Sequence, residues 1–162
     1  MISPSRLTAA ALALLASLLL PGCAGDPQFE GIQSSRMAMN NSIKSEEAGD
    51  YYIGRRYYKV DYKFWGYVRK PGQPWSTAQL VMLNEQQKLA PDREQGHFGV
   101  DNGYEYKLLG EFSGQTVYEP ASNGKYPEFV LKGYELRSDH PPSIFSAAAA
   151  LDPERRVIAR PN

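Results

Sequence analysis

The chain is 162 residues long and 42% hydrophobic, and its eighteen basic residues are matched by eighteen acidic ones, leaving no formal net charge at pH 7. That balance argues against the basic profile of a nucleic-acid binder and selects no partner by bulk electrostatics. A single cysteine excludes an intramolecular disulfide, so any exported domain must hold itself together by its core.

Arg6 precedes an uncharged, Leu/Ala-rich run over residues 7–20, which together form the positive and apolar regions of an export signal. At ~1.5 Å per residue the run is too short to cross a bilayer core of ~30 Å as a permanent span. Pro21 and Gly22 break it directly before Cys23. Leu20-Pro21-Gly22-Cys23 resembles the lipobox of bacterial lipoproteins, with Pro21 where Ala, Ser or Thr is usual. The resemblance covers residues 1–23 alone. It implies a diacylglyceryl group on the Cys23 sulfur, cleavage after Gly22 and acylation of the new amino terminus. Two or three acyl chains, at ~0.8 kcal/mol per buried methylene, then make release from the membrane negligible. Ala24 in place of Asp after the cysteine tilts the expected location toward the periplasmic face of an outer membrane rather than an inner one. The alternative is an ordinary secretory signal with an unmodified thiol.

Residues 23–50 are polar, with Asn40-Asn41-Ser42 and Glu46-Glu47, and are expected to form a lipidated terminus and flexible tether with at most a transient helix. All eleven tyrosines and both tryptophans fall between Tyr51 and Tyr134, which places one globular domain at residues 51–137.

Within it, residues 59–69 alternate in character and are expected to form a strand burying Val60, Tyr62 and Phe64. Lys70-Pro71-Gly72-Gln73 carries type II turn chemistry. A strand follows over residues 77–84, then a loop or short helix over 85–95. Asp101-Asn102-Gly103 is expected to turn a hairpin between 97–100 and 104–110. Tyr104, Tyr106, Leu108, Gly110 and Phe112 should share a face, and 116–118 and 129–136 supply further strands on either side of a loop over 119–127.

Five or six strands without a long helix predict a mainly β fold, a small antiparallel barrel, with a half-barrel or a two-layer sandwich fitting nearly as well. The order of elements, with Gly110 and Gly133 at bends, is similar to an OB-fold at the level of pattern. Residues 138–162 are expected to form a tail, in which Ser143 caps a short helix through Ile144, Phe145 and the alanine run, and the end from Arg155 is disordered.

Catalytic signals are sparse. His97 and His140 stand in no metal-protease or nucleophile-elbow context, and no cofactor motif is present, so no enzyme activity, cofactor or catalytic residue is assigned. Asp92, Glu94 and Asp101 near His97 match no ligand spacing, and no metal is expected. One constellation stands out: six basic residues between Arg55 and Lys70 face Asp61 alone, interleaved with aromatics. If Val60, Tyr62 and Phe64 are buried, Lys63, Trp65, Tyr67 and Arg69 share the outer face, with Trp75 beside the turn. Exposed rings among cations suit an anionic envelope polymer such as peptidoglycan or lipopolysaccharide. The alternatives are solvated cations with the rings under the tail or a loop, a structural lipoprotein docked on a membrane protein complex, and a hydrolase built around His97.

Overall fold

The computed structural model describes residues 27–146 and 158–162; Cys23, the signal segment and the alanine run lie outside the described residues. The chain divides into two compact units, Met1–Ser34 and Ser35–Asn162. Of the first, residues 27–34 are described and are helical.

The second unit is built on five strands: β1 (Tyr52–Arg56), β2 (Gly66–Arg69), β3 (Gln79–Asn84), β4 (Glu105–Glu119) and β5 (Gly124–Ser138). They close into a barrel in the order β1-β2-β3-β5-β4, with β4 returning to β1. This is the small OB-like barrel that the strand count and the lack of a long helix predict. One pair departs from the expected antiparallel pattern. β3 and β5 run parallel, Leu83 opposite Phe129, because the chain returns between them along the barrel wall as β4, itself antiparallel to β5, and so needs no long helix.

Each strand contributes to the barrel interior. Val68, Val81, Tyr106, Leu108, Phe129 and Leu131 pack there with Trp65, and Tyr52 borders them. Phe129 holds the centre, with the rings of Tyr52 and Phe112 edge-on at 5.1 and 5.3 Å. Two glycines permit the close approaches that closure demands. A Cβ on Gly66 would run into the Arg55 carbonyl oxygen, and one on Gly110, beside a bulge in β4, into that of Val130.

A second apolar cluster lies outside the barrel, on the other face of β1 to β3. Ile53, Tyr67 and Leu80 from the strands meet Tyr57, Tyr62, Phe64, Trp75, Ile43 and Ile144. Helix α1 (Pro27–Lys44) supplies Ile43, so residues 39–46, expected within a flexible tether, are instead packed on the barrel. Residues 143–146 are not helical, and 158–162, expected to be disordered, lie against the domain: the Tyr67 hydroxyl donates to the Ala159 carbonyl and the Asn162 N–H to that of Ile144 at 2.9 Å. No helix among the described residues is long and apolar enough to cross a membrane.

Other boundaries also shift. The expected strand over 59–69 is a loop as far as Trp65, with Val60 85% exposed. Residues 97–100 form turns rather than a hairpin arm, and Asp101-Asn102-Gly103 instead sets Tyr104 beside β1, where the Arg56 N–H reaches the Tyr104 carbonyl at 2.9 Å. The expected 119–127 loop shrinks to 120–123, with Asn123 at φ 51°. The Lys70-Gln73 turn forms as expected, with Gly72 at φ 74° and the Gln73 N–H bonded to the Lys70 carbonyl at 3.3 Å.

Candidate functional site

At one mouth of the barrel the loop 57–65 faces the connection 85–103, which contains the short helix α2 (Pro91–Glu94). Arg56, at the end of β1, joins them. Its Nη2 donates to Asp92 Oδ2 at 2.5 Å, its Nε to Asp101 Oδ1 at 3.3 Å and its Nη1 to the Trp65 carbonyl at 2.5 Å. Asp92 also accepts the Gly99 N–H at 3.0 Å, and Asp101 the Tyr106 hydroxyl at 3.1 Å. Burial raises the Asp101 carboxyl above its ordinary value, Arg56 opposing and Asp92 adding to the shift. Gly99 sits under the Tyr58 ring, where a side chain would collide, and at φ 72° it also needs the freedom of glycine.

These contacts frame a cavity of about 410 Å³, lined among others by Tyr58, Val60, Lys63, Trp65, Arg93 and Phe98. Val60 and Phe98 are 85% and 66% exposed, and Arg93 lies 5.5 Å from the Phe98 ring. Lys63 is exposed, while its backbone N–H bonds the buried Glu119 carboxylate, tying this loop to the β4–β5 turn. Beneath, Trp65 Nε1 and Asp92 Oδ1 are buried with no partner among the described residues. An unpaired donor and acceptor beside exposed apolar groups suit a polar, ring-bearing ligand.

The four residues expected on one exposed face, and Trp75 expected beside the turn, are therefore dispersed. Lys63 alone is exposed; Trp65, Tyr67, Arg69 and Trp75 are buried. Trp65 belongs to the barrel interior and Tyr67 lies under Phe145 and Ala159. The alternation of β2 is real, but both of its faces are covered. Arg69 makes a two-pronged pair with Glu46 at 2.6 and 2.7 Å, and its guanidinium lies 4.4 Å from the Trp75 ring. Asp92 and Asp101 are engaged with Arg56, Glu94 pairs with Lys88, and His97 is exposed. Among the described residues no group of three His, Cys, Asp or Glu stands ready to hold a metal ion. Val60, Arg93 and Phe98 were not expected at the site; an exposed phenylalanine within a charged connection is the only local signal for it.

Glu46 carries a pH dependence. Burial alone would raise its carboxyl, but Arg69, the Gly72 N–H and Arg137 outweigh that and hold it below its usual 4.5. A carboxyl depressed in the folded state contributes stability that is full above its unfolded value and lost as pH falls through the folded one. Urea unfolding measured between about pH 6 and pH 3 should show stability dropping below about pH 4.5, with a shallower drop in Glu46→Gln. An equal slope in the two proteins would contradict this assignment.

The chain matches no protein-family model, no curated protein and no solved structure. The chemistry of the site is therefore read from its own residues.

Proposed function

We propose that this protein is a lipid-anchored binding module of the cell envelope, held on the periplasmic side of a membrane, in the outer rather than the inner one, through Cys23. It takes an acidic envelope glycan, of the peptidoglycan or lipopolysaccharide kind, at the barrel mouth rather than on the β2 face. The observation that carries the ligand reading is the cavity rimmed by Val60, Phe98, Lys63 and Arg93. A ring laid on Phe98 or Tyr58 gains stacking and apolar contact, while Lys63 meets carboxylate or phosphate, joined by the Arg93 donors left over from its 3.2 Å pair with Glu85 on the same wall. Nothing in this reading asks for bond-making chemistry, a cofactor or a nucleic acid.

In cells, palmitate labelling and membrane sedimentation should both be lost in Cys23→Ser. The doubly substituted Phe98→Ala, Lys63→Glu protein should keep its anchor but sediment about tenfold less with purified sacculi or lipopolysaccharide vesicles. Unchanged sedimentation would remove the ligand site and leave the anchor standing.

A second reading, a structural lipoprotein docked on a membrane protein complex, is favoured by β4, whose pairing with β1 ends at Leu108 although β4 continues to Glu119. A partner strand would add along that edge. Crosslinks from residues 109–118 to one membrane protein, unaffected by the Phe98 and Lys63 changes, would select it.

A further inference from the structure

We propose that a second cavity, between the end of α1 and the segment 138–142, is a site for a singly charged carboxylate borne on a small apolar group. The cavity is about 350 Å³ and is lined by Met39, Ile43, Trp75 and Pro142 together with five charged side chains. Three of these are guanidiniums, Arg55, Arg69 and Arg137, and two are carboxylates, Glu46 and Glu105.

The carboxylates are fully used. Glu46 Oε1 accepts from Arg69 at 2.7 Å and Arg137 at 3.0 Å, and its Oε2 from Arg69 at 2.6 Å and the Gly72 N–H at 2.9 Å. Glu105 Oε2 accepts from Arg55 at 2.6 Å, and its Oε1 lies 3.3 Å from Arg137. The guanidiniums are not. Arg55 donates once more, to the Pro142 carbonyl at 2.8 Å, yet the Nε of Arg55 and the Nε of Arg69 are buried without an acceptor among the described residues. The Trp75 ring, 5.2 and 4.4 Å from the two guanidiniums, offsets part of that deficit through its π face but accepts no conventional hydrogen bond.

One positive charge thus lacks a counterpart among the charged side chains that line the cavity, and while the two unmet Nε–H donors are themselves buried, the partly exposed Arg137 presents that charge to an incoming group. Arg55 records the imbalance: burial draws its guanidinium below the usual value, Glu105 resists, and Arg69 and Arg137 add to the fall. A carboxylate supplies one negative charge and two oxygens, and it matches the planar fork of a guanidinium. A phosphate dianion would overshoot neutrality. Met39, Ile43 and Pro142 offer apolar wall to whatever carries the acid.

The full chain is titrated calorimetrically with N-acetylalanine, with its neutral amide and with inorganic phosphate, and melting is followed in each. The acid should bind saturably and raise the melting temperature, with amide and phosphate about tenfold weaker or worse. Arg137→Gln, made at a partly exposed side chain, removes the excess charge and should weaken the acid about tenfold. Glu105→Gln doubles the excess, should tighten the acid and should admit phosphate. Equal binding of acid and amide, preference for phosphate in the unaltered chain, or no response to the acid in a protein that melts cooperatively would each overturn the proposal. So would an Arg137→Gln protein that melts cooperatively and binds the acid as before.

Discussion

Replacing Arg56 by Met should lower the free energy of unfolding by about 3–5 kcal/mol at neutral pH, because it leaves buried carboxylates without their cation. Asp92 and Asp101 are 1% and 0% exposed, and Arg56 is the ion-pair partner of both. The loss should depend on pH in a direction opposite to that of Glu46. Asp101 already titrates above its ordinary value through burial, held back by Arg56. Without the guanidinium it would rise further, and a carboxyl raised in the folded state destabilises above its folded pKa and is relieved as pH falls through it. Urea unfolding of the variant should therefore approach that of the unaltered protein when the pH is lowered from about 7 to about 5. A variant unfolding within about 1 kcal/mol of the unaltered protein at neutral pH would show that the cluster is not the staple of the barrel mouth.

Trp75→Ala should cost a similar amount, about 3–5 kcal/mol. The ring is 1% exposed and packs in the outer cluster with Ile43, Tyr67 and Leu80. It also presents its face to two guanidiniums. Truncation removes a large apolar body and exposes the Arg55 and Arg69 pairs to a void, so both transfer and electrostatic terms act in the same direction. Trp75→Phe, which keeps an aromatic face but less volume, should recover most of the loss. Denaturant midpoints of the two variants check this. A Trp75→Ala protein of undiminished stability would return the ring to the list of ligand-binding candidates, since an exposed stacking platform can be removed without unfolding its host.

Much of the fold is legible locally. The Pro71-Gly72 turn, the β3 run of Leu80, Val81, Met82 and Leu83, and the shared face of Tyr106 and Leu108 each follow from dihedral preference or period-two patterning over a few residues. What fails is informative. Tyr62, Phe64 and Trp65 alternate plausibly as a strand, yet they are loop residues that divide between two cores, Tyr62 and Phe64 outside the barrel and Trp65 inside. Aromatic content marks burial there, and burial of a loop looks the same in sequence as burial of a strand. β1 escapes notice because Gly54 and two arginines break its apolar pattern. Gly54 makes room for Leu108 and Trp65, and both arginines are buried in ion pairs.

The candidate site shows the same division. Composition correctly marks residues 55–70 as unusual, rich in cations and rings, but the cations Arg55, Arg56 and Arg69 are internal braces. Their partners lie 50, 36 and 23 residues away, and no local pattern announces them.

By itself, then, the linear chain determines a mainly β domain and several of its turns and strands, while the export-signal and lipid-site reading of residues 1–23 stays an expectation from consecutive residues alone. That neither face of β2 meets solvent was decided only in three dimensions. Alternation assigns side chains to two sides of a strand, but whether a side is wet depends on what else folds over it. Here residues 39–46, together with 144–145 and 158–159, cover the face that carries Tyr67 and Arg69, while Val60 and Phe98 are left exposed at the barrel mouth.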